Sequence, residues 1–163
     1  IDYAKKLYRD KIGDYYIIRD HIENQNQNLI LTMYPDEIPD ILIITYGGNV
    51  SIAIKAAERI FMDEEIITNV LVVSSVRPID EEWIINKVEE CGKIVIVEEG
   101  NKTGGWGAEV SSIIHENAFH ELKCSVKRIG AMDIPIPSSG PMENEVLPSV
   151  SQIIKTINTI SNI

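Results

Sequence analysis

From residue 41 onward, short runs of β-branched residues alternate with longer stretches whose apolar positions recur every three to four residues. That alternation is the mark of βαβ units and a mainly parallel sheet. "ILIITYG" (41–47) is an unbroken apolar run between Pro39 and the pair Gly47 and Gly48, so it predicts a buried strand. "VSIAIKAAERIFMDEE" follows, spacing Ile54, Ala57 and Phe61 by three and four as one face of a helix requires. "NVLVVSS" (69–75) predicts a second strand, and its exit, Arg77-Pro78-Ile79-Asp80, joins a turn-forming proline to an aspartate able to cap "EEWIINKVEE". "KIVIVEE" (93–99) predicts the third strand and leads into a glycine-rich turn. Helical spacing resumes from Gly105 to Glu116, with Val110, Ile113 and Ile114 on one face. "CSVKRIG" (124–130) predicts a fourth strand, "MDIPIPSSGP" a proline-broken extended loop, and "PSVSQIIKTINTI" a C-terminal helix started by Pro148.

The first forty residues carry less pattern. "QNLILTMYP" (27–35) predicts an edge strand stopped by Pro35, and "IENQNQN" has no periodicity and reads as a loop. The expectation is therefore an α/β, three-layer α/β/α fold around a mainly parallel five-stranded sheet with one antiparallel edge strand. Residues 1–35 form an arm or linker with the edge strand, and 36–163 form the domain.

Composition narrows the partners. The 163 residues suffice for one domain with its own core, and the 44% hydrophobic share, rich in isoleucine and valine, suits a buried sheet. A net charge of −10 argues against nucleic acid and anionic membranes, both of which need a cationic surface, and leaves a basic protein partner open. Cys91 and Cys124 form no CxxC and no histidine lies at ligand spacing, so neither a zinc site nor a disulfide framework is expected. That favours a reducing compartment, the cytoplasm or an organelle matrix. No run is long and apolar enough to span a membrane, and no signal peptide is visible. The chain opens on Ile1 and reads as a piece of a longer polypeptide.

The candidate chemistry gathers at "EEGNKTGGWGAEV" (98–110), on the edge of the sheet where α/β folds collect ligands. As a dinucleotide fingerprint it would use Gly105 and Gly107, but the third glycine position is Val110, whose branched side chain blocks the close helix-to-strand approach. Glu98 and Glu99 could serve as acid and base, yet consecutive strand residues point to opposite faces; one is expected to meet a helix end or solvent. Glu109 suits the first turn of a helix, where the dipole stabilises it. His115 and His120 are five apart, a spacing that spreads them across a helix, and His21 has no visible partner. No catalytic, cofactor or metal constellation is complete. Trp106, set between glycines, needs a cover, either its own domain or another protein surface. The same holds for "DIPIP" (133–137), an apolar loop stiffened by proline.

Several segments, in order and spacing, resemble a known family: "ITYGGNVSIAIKAAERI", "VRPIDEEWI", "IVIVEEGNKTGGWGAEVSSIIHENAF", "VKRIGAMDIPIP" and "ENEVLPSVSQII". The family is the C-terminal, transketolase-type domain of the beta subunit of thiamine-diphosphate-dependent 2-oxoacid dehydrogenases of the pyruvate and branched-chain type. "KKLYRDKIGDYY" (5–16) resembles the linker that enters it. The resemblance implies an oxidoreductase parent that decarboxylates a 2-oxoacid and passes the acyl group to lipoyl groups. Thiamine diphosphate and Mg would lie between the alpha subunit and the beta subunit's own N-terminal pyrimidine-binding domain, and this domain alone would bind neither and would be inactive. It implies an assembly and docking module whose partners are that N-terminal domain, the alpha subunit, a second beta subunit and the lipoyl acyltransferase core. Gly104, Gly105, Trp106, Gly107, Ile134, Pro135, Ile136 and Pro137 become interface candidates, and Glu121 with Ile163 docking candidates. Three departures stand out: the Asn/Gln-rich stretch near residues 24 to 28 replaces the family's short hairpin after the linker, Val72-Val73-Ser74-Ser75 replaces a charged run, and Lys123 stands where relatives often carry an acid. A lysine there opposes a basic partner. Alternatives are the C-terminal domain of deoxyxylulose-phosphate synthase or transketolase, a pure interaction module, or a free-standing nucleotide-binding domain.

Overall fold

Strand β4 (Ile41–Thr45) runs through the middle of the sheet with all five residues buried, as an uninterrupted ILIIT run demands. The computed structural model describes residues 8–12, 14–19 and 28–161. Strands β5 (Thr68–Val72) and β6 (Ile94–Asn101) flank β4 in parallel, with Ile43 opposite Val70 and Ile44 opposite Ile96, and β7 (Lys127–Ala131) adds parallel to β6. On the other side β3 (Leu29–Thr32) pairs antiparallel with β5. All five expected strands are therefore present in the expected mainly parallel arrangement. The sheet is wider than the pattern suggests: a hairpin of β1 (Tyr8–Ile12) and β2 (Tyr15–Arg19) continues past β3, giving the order β1-β2-β3-β5-β4-β6-β7. The antiparallel edge is thus a strip of three strands. His21, Ile163 and residues 24–27 of the Asn/Gln-rich stretch lie outside the described residues.

Helices cover both faces. α1 (Val50–Glu64) and α5 (Val150–Ser161) pack on Ile41, Ile43, Val95 and Val97, while α2 (Glu81–Cys91) and α3 (Trp106–Ala118) pack on Leu42, Ile44, Ile94 and Ile96. Each fully buried isoleucine of this kind contributes about 1.5–3 kcal/mol relative to exposure. Of the three residues that spacing assigns to the inner face of α1, Ala57 is buried, whereas Ile54 and Phe61 are only half-buried. The true inner face is Ala53, Ala56, Ala57 and Ile60, small enough for the helix to lie close to the sheet. Asp80 caps α2 as expected, its Oδ1 accepting from the Trp83 N–H at 3.3 Å. A short α4 (Gly140–Val146) follows the proline-rich loop, and its one buried side chain, Val146, is too little for a periodic signal.

Candidate functional site

Alternation along β6 sends Ile94, Ile96 and Glu98 toward α2 and α3, and Val95 and Val97 toward α1 and α5. Glu98 is 0% exposed. Its Oε2 accepts the Gly107 N–H at 2.9 Å, at the positive end of α3, and its Oε1 accepts from Arg128 Nη2 at 3.0 Å. Arg128 arrives from β7, in register with Ile96, and the same Nη2 donates to the Lys102 carbonyl at 2.5 Å. A carboxylate buried this way is stable because opposite charge and hydrogen-bond donors replace its water.

This carboxylate explains two of the glycines. A Cβ on Gly105 would stand 2.4 Å from Glu98 Oε2 and 2.3 Å from the Asn101 carbonyl; one on Gly107 would stand 2.6 Å from Glu98 Oε1. Bare backbone is needed here so that α3 can close on Glu98. Gly104 differs: its φ of +67° is left-handed, and no atom lies within 4 Å of an added Cβ. The arrangement also decides the fit of a diphosphate, the anionic part of thiamine diphosphate. The helix end that would cradle it already holds Glu98, so these residues do not fit that group.

Glu99 leaves the strand on the other face, as alternation requires. It is exposed, and its Oε1 lies 2.7 Å from where a Cβ on Gly48 would be. The two carboxylates therefore do not converge. Between them sits Tyr46, whose hydroxyl is held above its ordinary value by burial first and then by Glu98 and Glu99, which keeps it a neutral phenol. Its ring meets Trp106 edge to face, with centroids 4.9 Å apart at 79°. Trp106 is half-buried and borders a groove of about 560 Å³ beside Arg77, Pro78 and Ile79.

The second apolar element is the 132–137 loop, which leaves β7 at the same edge. Met132, Ile134 and Ile136 are exposed, the two isoleucines at 48%, together with Met142 of α4; Pro135 is exposed and Pro137 half-buried. The loop is pinned from below. Asn101 Nδ2 donates to the carbonyls of Met132 and Ile134, the Thr103 N–H donates to Asp133 Oδ1 at 3.1 Å, and the Thr103 hydroxyl donates to Asp133 Oδ2 at 2.6 Å. The Thr103 hydroxyl, then its N–H, hold the Asp133 carboxyl below its ordinary value.

The interface candidates 104–107 and 134–137 thus share the carboxyl edge. Glu121 does not: it is exposed in the 3-10 turn Phe119–Glu121 at the amino edge, where the Ser161 carbonyl at the end of α5 accepts from Lys93 Nζ at 3.2 Å. His115 and His120 flank Phe119 separately, with ring centroids 6.2 and 5.7 Å from it. Among the described residues, no group of three or more His, Cys, Asp or Glu could hold a metal ion. No helix of the described residues is long and apolar enough to cross a membrane. Sequence reasoning missed Arg128, Tyr46 and the Thr103–Asp133 contact. One signal was available for Arg128: an arginine in an alternating strand, half-covered once that strand joins a sheet, is held most readily by an anion on the neighbouring strand.

Comparison with known proteins agrees with this architecture. The family described as "Transketolase, C-terminal domain" matches residues 33–153. The mitochondrial pyruvate dehydrogenase E1 component subunit beta of Dictyostelium discoideum is 34% identical over 122 residues, 75% of this chain and 34% of that protein. The 2-oxoisovalerate dehydrogenase subunit beta of Pseudomonas aeruginosa is 36% identical over 97 residues, 60% of this chain and 27% of that protein. The chain spans about a third of the length of these relatives. A solved split-gene transketolase, an inactive beta4 tetramer, shares the fold with a TM-score of 0.67 and 21% identity, over 82% of this chain and 42% of that one. With the family matched over most of its length, and with the parallel sheet that the family's motifs imply, the chain belongs to the transketolase C-terminal domain family.

Proposed function

We propose that this chain is the C-terminal assembly and docking domain of a 2-oxoacid dehydrogenase beta subunit. The parent enzyme would decarboxylate a 2-oxoacid with thiamine diphosphate and Mg and pass the acyl group to lipoyl groups, while this domain supplies no catalytic group. The observation that carries the reading is the 132–137 loop: an apolar, proline-stiffened segment, exposed yet fixed by hydrogen bonds to Asn101 and Thr103. A loop already held in one conformation loses little entropy when a partner covers it. Trp106 and residues 104–107 extend the surface along the same edge, toward the parent's N-terminal domain, the alpha subunit and a second beta subunit. Glu121, at the amino edge, and Ile163 would meet the acyltransferase core. Residues 1–35 would enter the domain formed by 36–163, in the cytoplasm or an organelle matrix.

The test uses the intact subunit co-expressed with an alpha subunit. The pair should co-purify and decarboxylate a 2-oxoacid with thiamine diphosphate and Mg, and Ile134→Asp with Ile136→Asp should abolish co-purification without unfolding the subunit. Assembly that survives both substitutions removes the loop from the interface. A natural full-length product with no pyrimidine-binding domain overturns the reading altogether.

A further inference from the structure

The hydrogen bonds at the carboxyl edge form one unbroken path from the helix end to the exposed loop. It begins at the Gly107 N–H on Glu98 Oε2 and crosses the carboxylate to Arg128 Nη2. From that nitrogen it passes to the Lys102 carbonyl, and the Lys102 N–H in turn donates to the Ala131 carbonyl at 3.3 Å. The next residue, Thr103, holds Asp133 through two bonds, and Asn101 holds the carbonyls of Met132 and Ile134. Arg128 is the only charged side chain among these bonds that touches both the buried carboxylate and the turn.

We infer that Arg128 is a positioning residue for the 132–137 loop, a strut that transfers the fixed position of Glu98 and α3 to residues 101–103 and through them to the apolar surface. The physical reason is that one nitrogen makes both bonds: Nη2, 3.0 Å from a carboxylate that the Gly107 N–H also holds, grips the Lys102 carbonyl as well, so that carbonyl is placed relative to Glu98. A lysine would keep the charge on a shorter, freely rotating stem and lose the rigid group that reaches both acceptors. The turn carries the position onward because Asn101 and Thr103 each make two bonds to the loop. That the loop serves docking rests on the function proposed above; the strut itself does not.

The test measures amide hydrogen exchange and partner binding on the intact subunit. Arg128→Lys should speed exchange at Lys102, Thr103, Met132 and Ile134 about tenfold, the effect of losing one or two such bonds, with the core strands unchanged. Thr103→Val, at an exposed site that cannot threaten folding, should do the same at Met132 and Ile134. Combined, the two should be less than additive at Ile134, because both act on one path. Exchange at Met132 and Ile134 that stays at the wild-type rate in Arg128→Lys, or effects that simply add, overturns the strut. Faster loop exchange with alpha-subunit affinity unchanged upholds the strut and overturns the docking role of the loop.

Discussion

Two segments at the carboxyl edge suggest a partner in the sequence, and they differ in what makes them special. The glycine turn is sparse because its own chain crowds it: α3 closes on Glu98 so tightly that Gly105 and Gly107 have no room for a methyl group. The 132–137 loop is the reverse, with large apolar side chains at 48–55% exposure for three of them and two prolines holding the backbone. A run of glycines therefore records an internal contact as readily as an external one. Exposed, rigid apolar side chains are the better guide to what another molecule covers.

That contrast can be broken by experiment. The largest effect is expected from Glu98→Ala, which leaves Arg128 without its anion; removing one member of a buried ion pair costs about 3–5 kcal/mol. Denaturant unfolding reads it directly, and a loss below 1 kcal/mol would mean that the pair is not load-sharing with the helix end. Gly105→Ala should cost about 1–3 kcal/mol through overpacking against Glu98 and the Asn101 carbonyl. The link between the two is sharper still: Gly107→Ala should be clearly better tolerated in a Glu98→Ala background, since the atom it strikes is gone. Equal penalties in both backgrounds would show that the glycine answers to something other than Glu98.

The loop should respond in the opposite way. Ile134→Asp, at an exposed position, should change stability by no more than about 0.5 kcal/mol while it removes assembly, as sedimentation of the mixed subunits would reveal. A large stability loss would place Ile134 in the core of its own domain. The smallest effect is local and pH-dependent. Asp133 has a folded value below its ordinary 3.8, so the stabilisation it gives the loop is complete above that value and fades as pH falls below it, through the folded value. The charge of Lys102 works in the same direction. Thr103 and Ile134 amides should exchange faster, after correction for intrinsic rates, only in that acid window. Asp133→Asn should abolish the dependence.

Much of this architecture was legible in the chain. The five strands from β3 to β7 follow from unbroken or alternating apolar runs, and Asp80, Val110 and the divergence of Glu98 from Glu99 follow from local rules of capping, packing and alternation. What escaped were contacts that depend on register. Arg128 meets Glu98 across 30 residues, and only because β7 lies parallel to β6 with Arg128 opposite Ile96. The hairpin of β1 and β2 was hidden for a different reason: Tyr15-Tyr16-Ile17-Ile18 is β-prone and Gly13-Asp14 is a turn pair, but the charged run Tyr8–Ile12 before them has no apolar alternation, and the hairpin's place is set by pairing with β3. α4 buries one residue, and a single side chain makes no period. The surplus of glycine at 104–107 was visible but not its cause, since the group that needs the space is a carboxylate that sequence alone leaves on a strand end.

The pairing of β6 with β7 slips between Val97 and Asn101, so that four residues of one strand run against two of the other. β7 is also the last strand on its side of the sheet, and an outermost strand is a template on which another chain can extend the sheet. The extra length lies on β6, the strand that carries Glu98, and leaves the open side of β7 as it is. What makes that side a poor template is Lys127 within a strand of only five residues, since a charge on an edge strand opposes the pairing of a second chain.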